Sequence, residues 1–155
     1  MNSYKRLILG YEAPIHLSWA RNNRSALVRV PVVKSGKTES TRVEYRAPDS
    51  ACNPYLAFAV ILAAGLRGIE EKYELPEEAS ANLFDLSAEE LAAKGIGSLP
   101  VSLNDAVDEM GRSKLLLDTL GDHIVEWFLR NKRAEWSAYR AEVTPFELKR
   151  YLPVL

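Results

Sequence analysis

One stretch of the chain decides its fold class: residues 40–69 have the sequence STRVEYRAPDSACNPYLAFAVILAAGLRGI. Its first part alternates charged with apolar side chains, and this period of two predicts a strand over residues 41–46. Arg42, Glu44 and Arg46 would then project from one face of that strand. The pattern alone also fits an ordinary solvent-facing strand whose charges form cross-strand salt bridges.

The second part of the stretch predicts a helix. Asn53 is a suitable N-cap, Pro54 suits the first helical position, and the LAFAVILAAGL segment that follows is apolar on every side. Because a helix of that composition is typical of a buried position, we predict that it is fully buried. Two more strands are predicted upstream, at residues 17–20 and 25–30. The predicted fold class is therefore α+β, with short antiparallel strands of a larger open sheet covered by helices.

Further helices are predicted downstream. Two capping boxes predict helices that begin after Ser87 and Thr144, because each is followed three residues later by a glutamate. Ser102 as a cap and Gly111 as an end predict a helix near residues 103–110, and an amphipathic pattern predicts one from residue 124 to about 141. Residues 74–86 are predicted to be an exposed excursion.

The composition limits the class of protein. The chain has 155 residues, 47% of them hydrophobic, which is enough for one globular core. Its single cysteine, Cys52, cannot form an internal disulfide. The longest apolar stretch, residues 55–66, is too short to span a bilayer. We therefore expect a cytoplasmic protein without a membrane partner.

Charge is distributed unevenly along the chain. Residues 1–46 carry nine lysines and arginines against three glutamates, a net charge of +6, and the remaining residues carry −7. Six of those nine cations are arginines, whose guanidinium groups bind phosphate and carboxylate bidentately. The first third therefore predicts an anion-binding pocket. A nucleic-acid partner is not expected, because the overall pI is about 6.2 and the arginines are not interleaved with stacking aromatics.

Glu44 is flanked by arginines in the predicted strand, which favours its ionised form. An ionised carboxylate at this position suits either a divalent metal or an ion-pair partner. The spacing leaves both interpretations open.

Longer motifs point to a family. Three long motifs in the first half of the chain resemble glutamine synthetase, in the order found in the C-terminal part of its catalytic domain. The same family is resembled by two later segments, NLFDL and WSAYRAEVTPFELKRYL. The three long motifs are NSYKRLILGYEAP, NNRSALVRVP and the stretch at residues 40–69. The resemblance covers the whole chain, residues 1–155. It implies that residues 1–46 form an active-site loop and strands, and that residues 47–155 are mainly helical.

The resemblance implies a reaction and the residues that bind glutamate. Glutamine synthetases make glutamine from glutamate, ammonium and ATP through γ-glutamyl phosphate, with Mg²⁺ or Mn²⁺. Arg6 and Arg46 would bind the substrate glutamate. Glu12, in the lid motif GYEAP, would cover the acyl phosphate and help to take a proton from ammonium.

The resemblance also implies an ATP site and a metal ligand. Arg24, Arg29 and Arg42 would bind the ATP phosphates, and Glu44 would bind a metal ion. Three residues would take part directly in the formation of glutamine: Glu12, Arg24 and Arg46.

Most metal ligands of the family, and its β-grasp domain, lie upstream of the matched region. The chain is therefore expected to be a C-terminal fragment of the enzyme, inactive or nearly so when isolated. At full length it would form a double-ring homo-dodecamer. Two alternatives stay open: a related ligase that joins glutamate to a polyamine or another amine, and a non-catalytic assembly fragment.

Some family members are regulated by adenylylation of a tyrosine in the motif that matches NLFDL. Phe84 replaces that tyrosine here, so no adenylylation is predicted at this position.

Overall fold

The computed structural model describes residues 3–8, 13–33 and 35–154. Strands and helices are both present, which confirms the predicted α+β class. The chain divides into two compact units, Met1–Ser102 and Leu103–Leu155. None of the described helices combines the length and the apolarity needed to cross a membrane.

The first unit contains the sheet. Its elements are α1 (Ser3–Arg6), β1 (Trp19–Arg21), β2 (Val28–Val30), β3 (Glu44–Tyr45), α2 (Pro54–Glu70) and α3 (Ala88–Ala93), with 3₁₀ turns at Thr38–Ser40 and Leu83–Asp85. The strands overlap the predicted ranges but are shorter, and β1 ends one residue later than predicted. Helix α1 is a single helical turn.

The three strands form one open mixed sheet in the order β1-β2-β3. β2 and β3 are antiparallel as predicted, with Arg29 opposite Glu44. β1 and β2 are parallel, with Trp19 opposite Val28, so the antiparallel prediction is wrong for this pair. The physical reason is the connection: the chain turns at Asn22, where φ is +57°, and residues 22–27 carry it back to the start of β1 before β2 begins.

Part of the core of this unit lies where the sequence predicts an exposed excursion. Ala79 and Leu83 are buried, so that prediction is wrong for them, although residues 74–77 are exposed. The segment is held against β1, because the backbone N–H of Ala79 donates to the carbonyl of Trp19 at 3.0 Å. The buried cluster consists of Ala20, Ala26, Ala79, Leu83 and Leu91, with Leu86 and Ile96 packed against it.

Helix α2 begins as predicted but is not buried. The Asn53 side chain accepts hydrogen bonds from the backbone N–H groups of Tyr55 and Leu56, and Pro54 occupies the first turn. None of its residues is buried, and Phe58 and Leu62 are 70% and 63% exposed, so the prediction of a buried helix is wrong here. An apolar pattern shows that a helix can be covered on all sides; the described residues of this unit do not supply that cover.

The second unit is helical, with α4 (Leu103–Arg112), α5 (Lys114–Ala141), α6 (Pro145–Tyr151) and a 3₁₀ turn at Leu152–Val154. Helix α5 begins at Lys114 rather than at residue 124, and non-helical angles at Gly121 divide it. Both predicted capping boxes are confirmed, at Ser87 for α3 and at Thr144 for α6. Among the described residues of this unit, the buried apolar ones are Leu103, Val107 and Val125.

Candidate active site

The structure brings Arg29, Arg42 and Glu44 into one cluster. Arg29 and Glu44 are paired in register on β2 and β3, and Nη1 of Arg29 donates to Oε2 of Glu44 at 3.0 Å. Arg42 precedes β3 on the same side, and its Nη2 donates to Oε1 of Glu44 at 2.8 Å. Each carboxylate oxygen therefore accepts from a different arginine.

The electrostatics of this cluster favour an ionised glutamate. The hydrogen bond from Arg42, followed by the bond and the charge of Arg29, lowers the pKa of Glu44 below its usual value of 4.5. The carboxylate is thus fully charged at neutral pH. Each guanidinium has five N–H donors and spends only one or two of them on Glu44, which leaves donors for another anion.

Arg24 and Arg46 line a second feature, an open pocket of about 420 Å³. Asn23, Ser25, Asn82 and Phe84 complete its lining. Arg46 lies next to β2, because its backbone N–H donates to the carbonyl of Leu27 at 3.0 Å, and it lines the pocket. Nη1 of Arg46 donates to the backbone carbonyl of Arg24, which ties the two arginine segments together.

Arg24 differs from the other candidate arginines. Its side chain is exposed, and within the part of the chain that the structure describes its guanidinium has no hydrogen-bond or ion-pair partner. All five of its donors are therefore available to an anion in the pocket.

Arg6 lies at the end of α1 and contacts the chain just after β3. Its Nη2 donates to the carbonyl of Ala47 at 2.7 Å, and its Nε is buried with no partner among the described residues. This contact places Arg6 next to the segment that follows Arg46. Glu12, the predicted lid acid, lies outside the described residues.

Sequence reasoning missed several lining residues of the pocket. Asn23 and Ser25 flank Arg24 directly, and Asn82 and Phe84 come from the segment predicted to be an exposed excursion. The available signal was the sequence NNRSA, because asparagine and serine beside an arginine favour side-chain hydrogen bonds to nearby backbone.

The side chains near Glu44 decide whether the divalent metal implied by the resemblance fits this site. Glu44 offers ionised oxygens, the ligand type that Mg²⁺ and Mn²⁺ prefer. The described residues contain no group of three or more histidine, cysteine, aspartate or glutamate side chains that could hold a metal ion. Glu44 therefore fits as one ligand of a metal site, and the described residues do not complete that site.

His16 is a buried residue away from these clusters. It is 3% exposed, its Nδ1 lies 3.0 Å from Oγ of Ser98, and burial lowers its pKa below 6.5. Its Nε2 is buried without a partner among the described residues. The neutral ring is therefore a packing element beside residues 97–99, whose backbone hydrogen-bonds with residues 15–17.

Comparisons with known proteins identify the family. The family described as "Glutamine synthetase, catalytic domain" matches residues 1–151. A glutamine synthetase of Mycolicibacterium smegmatis is 56% identical over 152 residues, covering 98% of this chain and 34% of the relative. A glutamine synthetase of Methanosarcina mazei is 49% identical over 155 residues, covering 100% of this chain and 34% of the relative. The chain thus spans about a third of the length of the curated relatives it matches.

Solved structures agree on the fold. A structure described as apo GmaS without ligand has a TM-score of 0.74 and 33% identity, covering 97% of this chain and 32% of that one. A cryo-EM structure of Plasmodium falciparum glutamine synthetase has a TM-score of 0.78, covers 97% of this chain and 37% of that one, and at 22% identity shows the fold alone. With the family match extending over residues 1–151, the chain belongs to the glutamine synthetase family.

Proposed function

We propose that residues 1–155 are the C-terminal portion of a glutamine synthetase catalytic domain, and that the assembled enzyme joins ammonium to glutamate at the expense of ATP. One observation carries this proposal: Arg24 and Arg46, 22 positions apart, line one pocket, and Arg46 follows two residues after the ionised Glu44. A site with several guanidinium groups and an ionised carboxylate suits a reaction between a nucleotide phosphate and an amino-acid carboxylate.

The proposed reaction has two steps. The γ-carboxylate oxygen of glutamate attacks the γ-phosphorus of ATP, so that γ-glutamyl phosphate forms and ADP leaves. Ammonia then attacks the acyl carbon, inorganic phosphate leaves, and the surplus proton passes to a carboxylate, for which Glu12 is the candidate. Phosphoryl transfer depends mainly on positioning and charge neutralisation, which arginines provide.

Arg24, Arg29 and Arg42 would bind the ATP phosphates. The last two keep unused donors after their contacts with Glu44, and Arg24 has all of its donors free among the described residues. Arg24 therefore has the strongest claim to contact the phosphoryl group that is transferred.

Arg6 and Arg46 would bind glutamate. Each is anchored through one guanidinium nitrogen to a backbone carbonyl, which orients the group while leaving other donors for a carboxylate. Their anchors, Ala47 and Arg24, lie on segments adjoining β3 and β2. Arg46 belongs to the pocket that also contains Arg24, which suits contact with the reacting γ-carboxylate.

A bound Mg²⁺ or Mn²⁺ would neutralise phosphate charge, with Glu44 as one of its ligands. Because the described residues do not complete a metal site, we infer that the isolated chain has little or no turnover. We further propose that the assembled protein is a cytoplasmic homo-oligomer, the double-ring dodecamer that the family resemblance implies.

A chimeric enzyme tests this function, with the present chain replacing the matched third of the Mycolicibacterium smegmatis relative. A coupled phosphate-release assay with glutamate, ATP and Mg²⁺ is run with ammonium or with putrescine. We expect turnover with ammonium in the chimeric enzyme and very little in the isolated chain. Turnover with putrescine alone would assign the chain to an amine ligase of the same family, and no turnover with either amine would refute the proposal.

A further inference from the structure

We propose that Asn23 and Ser25 are positioning residues that fix Arg24 in the pocket by binding the β1–β2 connection to residues 79–83. This inference rests on the proposed function, because Arg24 is its proposed phosphate-binding group. It adds two residues with no assigned role in the reaction.

The Asn23 side chain uses its full hydrogen-bonding capacity. Its Nδ2 donates to the carbonyls of Ala79 and Ala81, both at 2.8 Å. Its Oδ1 accepts from the backbone N–H of Ser25 at 2.9 Å and from the Ser25 hydroxyl at 2.7 Å. A primary amide has two donors and two lone pairs, so no other side chain of similar size can reproduce all four bonds.

Ser25 extends the same network into the core. It is 2% exposed, and its Oγ accepts from the backbone N–H of Leu83 at 3.0 Å. Leu83 is itself 1% exposed and belongs to the buried cluster. The network therefore connects the β1–β2 connection to a rigid part of the unit, and we name it the Asn23–Ser25 clamp.

Arg24 lies between the two clamp residues, which hold its backbone in place. Both neighbours are fixed, its carbonyl accepts from Nη1 of Arg46, and its own guanidinium lacks a partner among the described residues. The clamp therefore sets the point at which the Arg24 side chain leaves the backbone, while the torsions of the side chain itself stay free. A fixed point of attachment lowers part of the cost of aligning the guanidinium with a phosphoryl group.

The clamp also positions a second segment that lines the pocket. Residues 79–83 lead directly into Phe84, and Asn82 and Phe84 line the pocket together with Arg24 and Arg46. Loss of the clamp would displace both lining segments. A displacement of about 1 Å can reduce turnover by about 10²-fold.

The test uses substitutions in the chimeric enzyme. Asn23→Ala removes all four bonds, and Asn23→Asp keeps the shape but replaces both donors with a charge that repels the carbonyls of Ala79 and Ala81. Asn22→Asp is the matched control, because it makes the same charge change one residue away and its oxygen can still accept from the N–H of Val32. Ser25→Ala and Ser25→Thr form a second pair, in which threonine keeps the hydroxyl.

Two readouts separate positioning from simple stability. We expect both Asn23 variants to lower kcat by about 10²-fold while the KM for glutamate changes little. The peptide covering residues 79–84 should exchange its amide hydrogens faster. We expect Asn22→Asp to match the parent in both readouts, and Ser25→Thr to retain more activity than Ser25→Ala.

Three results would overturn the inference. The first is a parent-like kcat in both Asn23 variants despite faster exchange, which would make the clamp merely structural. The second is equal loss in Asn22→Asp, which would make the effect one of charge. The third is unchanged amide-hydrogen exchange of residues 79–84 in Asn23→Ala. This measurement can be made even if the parent chimeric enzyme turns over neither amine, which is a separate result that would refute the proposed function.

Discussion

Arg29 and Glu44 lie opposite each other on β2 and β3, and Nη1 of the arginine is 3.0 Å from Oε2 of the glutamate. Arg42 binds the other carboxylate oxygen at 2.8 Å. Both side chains stabilise the charged form of Glu44, so its pKa lies below 4.5. Because the pKa of Glu44 is lower in the folded chain, folding stability depends on pH. Ionised Glu44 contributes to stability above about pH 4.5, and this contribution is lost as pH falls through the lowered pKa.

The first prediction follows from this pairing. Arg42→Gln keeps much of the side-chain length but removes the charge and the strongest hydrogen bond, so we expect the pKa of Glu44 to rise toward 4.5. The measurement is a carbon-13 NMR titration of the Glu44 carboxyl group. Arg112→Gln, which removes an exposed arginine paired with Glu109, is the control and should not change the Glu44 titration. An unchanged titration in Arg42→Gln would contradict the assigned cause.

The second prediction concerns Arg24 in the chimeric enzyme. If its guanidinium stabilises the transferring phosphoryl group, Arg24→Gln should reduce kcat by about 10²- to 10³-fold, or about 3–4 kcal/mol. Arg24→Lys keeps the charge but loses the planar fork, so we expect an intermediate loss. Arg21→Gln is the control, because Arg21 pairs with Glu78 and does not line the pocket. An Arg24→Gln enzyme with parent-like kcat would exclude this role.

The third prediction concerns His16 and acid stability. Burial lowers its pKa, so the unfolded chain takes up the proton more readily than the folded chain. The free energy of unfolding should therefore decrease as pH falls below about 6.5, the ordinary pKa of histidine.

Denaturant unfolding of His16→Gln and the parent, compared at pH 7.5 and 5.5, measures this effect. The variant should lose part of the pH dependence. His123→Gln removes an exposed histidine and serves as the control. Equal pH dependence in parent and His16→Gln would mean that His16 does not contribute to it.

The fourth prediction concerns the exposed apolar surface of α2. Tyr55, Phe58, Leu62 and Ile69 are between 63% and 84% exposed, and a contiguous apolar surface of this kind promotes association. We expect the isolated chain to self-associate with rising concentration in light-scattering measurements after gel filtration. Phe58→Gln with Leu62→Gln should shift the chain toward monomer. Glu109→Gln with Arg112→Gln, an equally conservative pair on α4, should not.

The fifth prediction concerns Phe84. The family resemblance places an adenylylated tyrosine at this position in some members, and a phenyl ring offers no hydroxyl to modify. After treatment with an adenylylating enzyme, the peptide containing Phe84 should keep its mass. Phe84→Tyr is the matched variant and supplies the missing hydroxyl in the pocket wall. An adenylyl group on the parent peptide would show that another residue in it is modified.

Local signals in the sequence predicted local structure well. The N-cap at Asn53 and the capping boxes at Ser87 and Thr144 are all confirmed, because each depends on contacts within a few residues. The approximate positions of the three strands are confirmed for the same reason. The prediction of strand direction was wrong for β1 and β2, because the direction depends on how far residues 22–27 carry the chain back before β2 begins.

Features that depend on distant parts of the chain were harder to predict. The burial of Ala79 and Leu83 arises from contacts with β1 and with Ser25, roughly 60 positions earlier, which a local polarity pattern does not encode. The exposure of α2 was missed because apolarity shows what a helix can bury and not what is present to cover it. The cluster around Glu44 was foreseeable, since alternation places Arg42 and Glu44 on one face.

Gly121 determines the path of the second unit. Its φ of +75° and ψ of 158° lie in a region that essentially only glycine adopts, and among the described residues no atom outside the adjoining helix backbone lies within 4 Å of the position of a Cβ there. The restriction is therefore one of backbone torsion and not of space. A straight helix over Lys114–Ala141 would be about 42 Å long, whereas the observed chain changes direction after its first two turns. The absence of a Cβ at Gly121 thus allows this helix to bend.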